Sequence, residues 1–485
     1  MRVLFVASEC APFVKTGGLA DVVGALPRAL ASLGAQVRVM LPAYPALKPL
    51  LAGATPVLDL GLVHGRKARV LAAHAEGLDL LLLDAPHLFN RPGNPYLGPD
   101  GHDWPDNHLR FGALSLAAAR VAQGAVAGWP PDLVHAHDWQ AGLVAPYLKF
   151  SGRPAPPAIL TIHNIAFQGL FPKSAIEELA LPPGEFTREG YEFWGQVGFL
   201  KAGLVWSDRI TTVSPTYARE LMTPEFGMGL EGVLAARRSD LAGILNGIDL
   251  DTWNPETDPA IAANYSARAP ARKAANKAAL VSRFGLDSDP RAPLFCVVSR
   301  LTAQKGLDLL LDALPRLAAR GAQLVVLGSG DAALEAAYRA AARQYAGTLG
   351  VMIGYDEPLS HLMQAGADAI VVPSRFEPCG LTQLYGLRYG TIPVVARTGG
   401  LADTVIDADP AALATGCATG FQFSPVTARA LGDAVERACD VYRQPAVWRA
   451  MMRRAMKHPV GWNASAAAYM SLYRDMLEAR SQRPR

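Results

Sequence analysis

The chain has 485 residues, of which 50% are hydrophobic and 18% are charged, and its formal net charge at pH 7 is +3. This composition excludes an intrinsically disordered chain, and so small a net charge excludes a large nucleic-acid-binding surface. The length exceeds what one hydrophobic core normally serves, so we expect two domains of roughly 200–250 residues. The five cysteines show no paired spacing, and no apolar run reaches the length of a membrane span. We therefore expect a cytoplasmic protein without a signal peptide or a membrane partner.

Short apolar runs alternate with helical patterns, which is typical of βαβ units and parallel sheets. In the first half, apolar runs predict strands at residues 3–7, 37–41, 80–83, 133–135, 159–162, 210–213 and 244–245. Residues 86–107 are rich in Gly, Pro, Asp and Asn and contain aromatic residues. Because long irregular segments inside compact domains usually carry function, they predict a lid or binding loop.

The second half repeats the pattern after residues 251–292, a segment rich in Pro, Asn, Asp and Ala that we interpret as the crossing between domains. Strands are predicted at residues 294–298, 323–327, 351–353, 369–372 and 392–395, and helices at 306–319, 332–345, 359–365 and 381–389. An amphipathic helix at 463–480 is expected to pack back onto the first domain. The predicted fold is α/β, with two Rossmann-like doubly wound domains facing a central cleft. Their limits are residues 1–248 and 249–457, followed by the returning helix within 458–485.

One nine-residue segment, KTGGLADVV at residues 15–23, recurs as RTGGLADTV at residues 397–405, with seven of the nine letters identical. Diglycine lets backbone N–H groups approach a ligand closely and takes conformations closed to residues with a Cβ. A helix N-terminus adds unpaired donors and a partial positive charge. We therefore predict two anion cradles that close on one phosphate-bearing ligand; the alternative is two unrelated Gly-rich turns.

Two further strand-end loops carry charged residues. Residues 299–306 place Arg300 and Lys305 together near the start of a helix, where cations are unfavourable unless an anion is present. They predict a diphosphate clamp, with ordinary surface cations as the alternative. Glu377 follows another predicted strand and is interpreted as a catalytic or ribose-binding carboxylate, or else as a charge at a helix N-terminus.

Histidines end two predicted strands. His135 and His137 share one strand face and, with Asp138, could form a metal site. No further ligand motif lies nearby, so we expect no metal, a hydrogen-bonded core position for His135, and His137 and Asp138 facing the cleft. His163 stands beside Asn164 at another strand end, which favours sugar binding over a structural role.

The segment Gly328-Ser329-Gly330 follows a predicted strand and resembles a dinucleotide-binding fingerprint, with Asp356 near the ribose-binding distance. This supports a NAD-type oxidoreductase as an alternative function. The pattern also suits nucleotide binding in general, and Tyr355 offers a ring that could stack on a base.

Taken together, six motifs resemble those of bacterial glycogen synthases and plant starch synthases. In chain order they are KTGGLADVV (15–23), HAHDW (135–139), TIHNIAFQG (161–169), ILNGID (244–249), SRLTAQKG (299–306) and PSRFEPCGLTQ (373–383). The resemblance implies the GT-B architecture and transfer of glucose from ADP-glucose to the 4-hydroxyl end of an α-1,4-glucan. It implies retention of the α configuration, no metal and no cofactor. The implied partners are ADP-glucose or ADP and a glucan such as glycogen or a maltooligosaccharide.

The resemblance also implies roles for individual residues. The implied catalytic residues are Glu377, His163, Arg300 and Lys305. The implied donor-binding residues are Lys15, Gly17, Gly18, Asp21, Asn246, Gly330, Tyr355, Cys379, Gly380, Leu381 and Thr382. The implied acceptor or sugar contacts are Tyr96, Asp138 and Asn164.

The sequence also bears on alternatives to this function and leaves two properties undecided. A broader group of retaining transferases carries Glu-x7-Glu, but the second place here is Tyr385, which favours the synthase branch. A non-catalytic glycan-binding protein would have a damaged site, but Lys15, Arg300, Lys305 and Glu377 are all present. A degradative phosphorylase would need a lysine that binds pyridoxal phosphate, and no supporting motif is seen. The residues do not decide between ADP-glucose and UDP-glucose, nor the oligomeric state.

Overall fold

The computed structural model describes residues 1–482, and the chain divides into two compact units. The first unit consists of Met1–Asn246 together with the described residues from Trp462 onward, and the second consists of Gly247–Gly461. The segment of residues 251–292, which we interpreted as a crossing, lies wholly inside the second unit. That interpretation is therefore wrong.

The first unit contains a nine-stranded sheet and a small three-stranded sheet. Its strands are β1 (Arg2–Val6), β2 (Gln36–Pro42), β3 (Thr55–Val63), β4 (Arg66–Ala75), β5 (Leu78–Asp84), β6 (Leu133–His137), β7 (Ala158–Ile162), β8 (Leu170–Phe171), β9 (Glu192–Phe193), β10 (Gln196–Gly198), β11 (Arg209–Thr212) and β12 (Leu241–Gly243). The large sheet has the order β12-β11-β7-β6-β1-β2-β5-β4-β3, and β8-β10-β9 form the small one. Strands β12 to β5 of the large sheet run parallel, and β4 and β3 extend it in antiparallel fashion.

Helices cover the large sheet, which explains why its central strands are apolar on both faces. Residues 3–6 of β1, for example, are all fully buried. The helices are α1 (Gly18–Ser32), α2 (Lys48–Leu51), α3 (Pro86–Phe89), α4 (Asn107–Arg120), α5 (Val144–Lys149), α6 (Ala175–Glu178), α7 (Phe199–Trp206), α8 (Pro215–Glu220) and α9 (Glu231–Ala236).

The edges of this sheet differ from the sequence-based expectation. The strand predicted at residues 244–245 is wrong, because the ladder with β11 runs from Leu241 to Gly243 and ends where β11 ends. The β3–β4 hairpin was not predicted, because many of its residues are exposed and its sequence lacks a continuous apolar run. Central strands are thus readable from the sequence, whereas edge strands are not.

The second unit contains one six-stranded parallel sheet. Its strands are β13 (Leu294–Val298), β14 (Gln323–Gly328), β15 (Leu349–Ile353), β16 (Ala369–Val372), β17 (Ile392–Ala396) and β18 (Phe421–Phe423). Its helices are α10 (Lys273–Phe284), α11 (Leu307–Ala319), α12 (Ala332–Gln344), α13 (Glu357–Gly366), α14 (Thr382–Tyr389), α15 (Gly399–Thr404), α16 (Pro410–Thr415), α17 (Ala428–Tyr442) and α18 (Pro445–Lys457). The order β15-β14-β13-β16-β17-β18 is that of a doubly wound Rossmann sheet. The predicted α/β, doubly wound fold class is confirmed for each unit.

Each parallel sheet has one point at which the chain changes its winding direction. In the first unit this point lies between β1 and β6, and in the second it lies between β13 and β16. Because the loops beyond the two flanking strands leave in opposite directions, a crevice opens at the carboxyl ends of these strands. We therefore expect ligand-binding residues in four loops, those after β1, β6, β13 and β16.

The segment of residues 251–292 is tied to the second unit by a stack of aromatic rings. The ring of Trp253 lies between His361, with centroids 3.9 Å apart, and Tyr385, with centroids 3.7 Å apart. Nδ1 of His361 is 2.7 Å from a carboxylate oxygen of Asp258, which is buried. The Pro- and Asn-rich composition therefore reflects irregular backbone, while its aromatic residues belong to the core.

The last helix, α19 (Asn463–Ser481), belongs to the first unit and packs against α1. Its Tyr473 is fully buried, and the hydroxyl lies 2.7 Å from Nδ1 of His135 on β6. The return of the chain to the first unit follows the prediction for residues 463–480. Across residues 1–482, no helix combines the length and the apolarity that a bilayer crossing requires.

Candidate functional site

The loop after β1 is organised by one carboxylate, that of Glu9, which is 3% exposed. One of its oxygens accepts hydrogen bonds from the backbone N–H groups of Thr16 (2.5 Å) and Gly17 (3.2 Å), and the other accepts one from the Thr16 hydroxyl (2.6 Å). Glu9 therefore fixes the loop that leads into α1, which begins at Gly18. Sequence reasoning assigned Glu9 no role; its only signal was a carboxylate just beyond an apolar strand.

The segment of residues 86–107 brings Tyr96 to the same carboxylate. The hydroxyl of Tyr96 donates to Glu9, and burial, followed by the charge of Glu9, raises the pKa of Tyr96 well above its usual value. Tyr96 therefore remains a donor at neutral pH. The segment is held by the buried guanidinium of Arg110, which donates to the carbonyl oxygen of Pro95 (2.9 Å).

Replacing Glu9 with glutamine is expected to lower kcat/KM for the donor substrate. The NH₂ group of the glutamine would replace one of the two carboxylate oxygens of Glu9. The hydrogen-bond donors that now face that oxygen would then lose their acceptor and remain buried and unsatisfied. We expect a loss of roughly 10- to 100-fold, which corresponds to the ~1–3 kcal/mol that such groups cost. Steady-state kinetics would measure it. Glu192→Gln is the matched control, because Glu192 accepts from the N–H of Gly195 (2.6 Å) in an exposed hairpin; equal losses in both variants would contradict the assignment.

The first copy of the repeated segment presents a partly exposed cation and a glycine with open space beside its Cα. Lys15 pairs with Asp21 at 2.9 Å, and both side chains are partly exposed. Exposed pairs of this kind contribute little to stability, so the ammonium can turn to another anion at low cost. Gly17 has an extended backbone (φ −158°), and no atom lies within 4 Å of where a Cβ would be. The expectation that this glycine takes a conformation closed to other residues is therefore wrong. Its N–H is bound by the Glu9 carboxylate, and the open space lies beside its Cα.

The loops after β6 and β7 are joined through Asp138. Its backbone lies at φ 55°, ψ −168°, a conformation that costs a residue with a Cβ about 1–3 kcal/mol. Two hydrogen bonds hold it there: its N–H donates to the carbonyl oxygen of Thr161 (2.9 Å), and its carboxylate accepts from the N–H of His163 (2.7 Å). Burial raises the pKa of Asp138 to about 7. Asp138 therefore sets the position of His163.

The remaining polar residues of these loops have defined places. His135 is fully buried between the Tyr473 hydroxyl and that of Thr161, at 2.7 and 2.5 Å, which matches the predicted core position. Asn164 accepts from the N–H of Ala166 (3.0 Å) and so caps its own loop. Over residues 1–482, no three His, Cys, Asp or Glu side chains are placed to hold a metal ion.

In the second unit, the loops after β13 and β16 meet at Glu377. Its side chain is 6% exposed, and one carboxylate oxygen accepts from Nζ of Lys305 (2.6 Å) and from the hydroxyl of Ser374 (2.8 Å). Arg300, in the same loop as Lys305, is exposed, and its guanidinium has no partner among residues 1–482. Of the two cations predicted to bind a diphosphate, Arg300 is therefore free within the described part of the chain, whereas Lys305 is already paired with Glu377.

The second copy of the repeated segment does not form a free anion cradle, so that prediction is wrong. A Cβ on Gly400 would lie 2.3 Å from the carbonyl oxygen of Cys379, and one on Gly399, at φ 44°, would lie 1.9 Å from that of Glu377. The N–H of Gly400 donates to the carbonyl oxygens of Glu377 and Pro378, both at 3.1 Å. This diglycine therefore braces the backbone of the Glu377 loop.

The fingerprint at Gly328-Ser329-Gly330 also has a packing role. A Cβ on Gly328 would lie 1.9 Å from the carbonyl oxygen of Ser299, so glycine here lets the Arg300 loop approach. The N–H of Gly330 donates to Glu335 (3.0 Å). Asp356, proposed as a ribose carboxylate, instead caps α13 by accepting from the N–H of Leu359 (2.9 Å). Both features on which the oxidoreductase alternative rested are therefore explained by local structure.

The residues after Glu377 form a tight turn that leads into α14. Cys379 is 4% exposed, and Gly380 has φ 72°, which favours glycine. The side-chain amide of Gln383 donates to the carbonyl oxygens of Cys379 (3.0 Å) and Gly380 (2.9 Å). Leu381 precedes α14, which begins at Thr382. These residues hold Glu377 at the end of a rigid turn.

Tyr355 and Asn246 were also predicted to contact the donor. Tyr355 is 75% exposed, and its hydroxyl donates to Glu357, so its ring face is open to a planar ligand. Asn246 is the last residue of the first unit before the chain crosses. Its side-chain oxygen is buried and has no hydrogen-bond partner within the described 482 residues.

The sequence matches two protein families. Residues 2–236 match the family described as "Starch synthase catalytic domain", and residues 281–453 match that described as "Glycosyl transferases group 1". These matches fall within the first and the second unit, respectively.

Individual proteins match over nearly the full length. The chain is 64% identical to "Glycogen synthase" of Roseobacter denitrificans, over 98% of this chain and 100% of that protein. It is 55% identical to "Glycogen synthase 1" of Rhizobium meliloti, over 98% and 99%. Among solved structures, it is similar to the catalytic domain of starch synthase IV from Arabidopsis thaliana bound to ADP and acarbose, with a TM-score of 0.88 and 33% identity over 98% and 99% of the two chains.

Proposed function

The chain belongs to the glycogen synthase family and is therefore a glycosyltransferase of the GT-B fold, and we propose that its donor is ADP-glucose and its acceptor the non-reducing 4-hydroxyl end of an α-1,4-glucan. The proposal includes retention of the α configuration, chemistry without a metal ion, and a cytoplasmic location. The starch synthase IV structure, which contains ADP and acarbose, supports the donor and acceptor classes.

The observation that carries the proposal is the charge arrangement at the winding reversal of the second unit. There, the free guanidinium of Arg300 shares a loop with Lys305, which contacts the buried carboxylate of Glu377 at 2.6 Å. Departure of a nucleoside diphosphate places negative charge on its terminal phosphate and positive charge on the sugar ring. Fixed cations stabilise the former and a fixed carboxylate the latter, at no cost of reorganisation.

The first unit contains groups of the same kinds. The partly exposed ammonium of Lys15 and the N-terminus of α1, which begins at Gly18, suit a phosphate. His163 and Asp138 at strand ends, and Tyr96 in the segment of residues 86–107, are polar groups that suit sugar hydroxyls. We assign the former to the donor and the latter to the glucose units.

Incubation of the pure protein with ADP-glucose or UDP-glucose and a maltooligosaccharide tests the proposal. Mass spectrometry should show elongation by successive hexose units with ADP-glucose, and proton NMR should show that each new linkage is α. A chelator should leave the rate unchanged. Faster elongation from UDP-glucose would overturn the donor assignment, and no elongation from either donor would overturn the function.

A further inference from the structure

Three histidine rings form one continuous group in the first unit. His135 and His137 stack on β6 with ring centroids 4.3 Å apart and an angle of 27° between their planes. Nδ1 of His137 lies 3.0 Å from Nε2 of His163. Both histidines of β6 are fully buried, and His163 is partly exposed at the strand end. The group therefore reaches from the core to the candidate sugar site.

All three rings are neutral at neutral pH. Burial lowers the pKa of His135 and of His163 to about 3, and that of His137 well below its usual value. A neutral imidazole carries its hydrogen on one ring nitrogen and accepts at the other. The contact between His137 and His163 is therefore directional, and its direction decides which nitrogen of His163 carries the hydrogen.

The other nitrogen of His137 settles that direction. Its Nε2 is buried and has no hydrogen-bond partner among residues 1–482. An orphaned buried N–H is rarer in folded proteins than an under-satisfied acceptor. This favours the arrangement in which the hydrogen of His137 sits on Nδ1 and is donated to Nε2 of His163. Since that nitrogen then accepts, the hydrogen of His163 sits on its Nδ1.

We propose that His137 is a positioning residue that holds His163 in the tautomer with the hydrogen on Nδ1, so that His163 donates a hydrogen bond to a sugar hydroxyl oxygen. Nδ1 of His163 has no partner in the described part of the chain. The inference rests on the proposed function, which assigns His163 to the glucose units.

Neighbouring groups hold the ring of His137 in place. His135, against which it stacks, is fixed at both nitrogens by Tyr473 (2.7 Å) and Thr161 (2.5 Å). Phe5 packs against His137 with ring centroids 5.1 Å apart. The C-terminal helix thus supports the orientation of His163 through two intervening rings.

Nitrogen-15 NMR of the full-length protein, labelled at its ten histidines, tests the tautomer without any substrate. We expect a protonated Nδ1 on His163, identified by loss of its signal in His163→Gln. His137→Phe keeps a planar ring but removes the donor, so the hydrogen of His163 should move partly to Nε2. His137→Asn returns an N–H near the position of Nδ1 and should restore the original signal. A protonated Nε2 in the unaltered protein, or no change in His137→Phe, would overturn the proposal.

Kinetics provide the second readout. His137→Phe should lower kcat by roughly 10- to 100-fold, the range seen when a partner behind a functional histidine is lost, with little change in KM. His137→Asn should recover most of that loss. Tyr147→Phe is the matched control for loss of a buried polar contact, because its hydroxyl donates to the carbonyl oxygen of Leu179 (2.8 Å) in the same unit; its kcat should not change.

The two readouts separate the two hypotheses. If the unaltered protein does not elongate a glucan, the proposed function fails, and the NMR result alone decides the tautomer. If the unaltered protein is active and His137→Phe retains its kcat, the positioning role of His137 fails while the function stands.

Discussion

Glu377→Gln is expected to lower kcat by at least roughly 10²–10³-fold, the effect of removing one preorganised electrostatic group. The carboxylate is 6% exposed and is held by Lys305 and Ser374 at 2.6 and 2.8 Å. Glutamine has nearly the same shape, so the turn that carries it should remain, but the negative charge that faces the developing positive charge on the sugar is lost. Steady-state kinetics with ADP-glucose would measure the loss, and circular dichroism would check the fold.

The matched control is Asp368→Asn. Asp368 also forms a half-buried pair with a lysine, Lys277 (2.7 Å), in the second unit, but it immediately precedes β16 and so lies at the amino end of the strand. This variant should lose stability while its folded fraction keeps its kcat. If Glu377→Gln retains most of the activity, Glu377 serves only as a partner of Lys305 and a charge near the start of α14.

Lys305→Ala is expected to lower kcat by roughly 10²–10³-fold. It removes the cation beside the site of the leaving diphosphate and also leaves the buried charge of Glu377 without its partner, which destabilises the fold. The double variant Lys305→Ala, Glu377→Gln should therefore be less impaired than the sum of the two single effects, because groups that act as a unit are non-additive. Kinetics and thermal unfolding of all three variants would measure this.

Two comparisons separate the catalytic effect from the structural one. Lys277→Ala breaks the pair with Asp368 and should lower the melting temperature without lowering the kcat of the folded protein. Arg300→Ala removes an exposed guanidinium, so it should lower kcat to a similar extent with an unchanged melting temperature. Equal activity losses in Lys305→Ala and Lys277→Ala would show that stability alone explains the result.

Much of the fold was predictable because central parallel strands are apolar throughout and bounded by turn residues. The predicted strands at 294–298 and 369–372 coincide with Leu294–Val298 and Ala369–Val372. Prediction failed where burial is one-sided or irregular, as in the β3–β4 hairpin. It also failed at residues 251–292, where Trp253 joins the core by stacking between two rings distant in sequence.

The candidate site was predictable as a set of residues but not as a set of contacts. Glu377 and Lys305 were both identified, yet their ion pair joins positions 72 residues apart and leaves no mark in either motif. Glu9 was assigned no role, and His137 was predicted to face the cleft although it is fully buried. Their roles depend on Thr16, Gly17 and His163, which reach them only after the sheet has formed.

The repeated diglycine segment illustrates the difference between what the sequence determines and what only the tertiary structure decides. The letters of the six motifs indicate the family, the order of strand-end loops and the residue types at the site, since these are properties of the chain read in order. They could not tell that the N–H of Gly17 is bound by a side chain, Glu9, with open space beside the Cα, while that of Gly400 is bonded to the Glu377 backbone in a tightly packed turn. Whether an N–H, a cation or a ring nitrogen is free depends on what packs against it, and packing is decided only when loops from different strands meet.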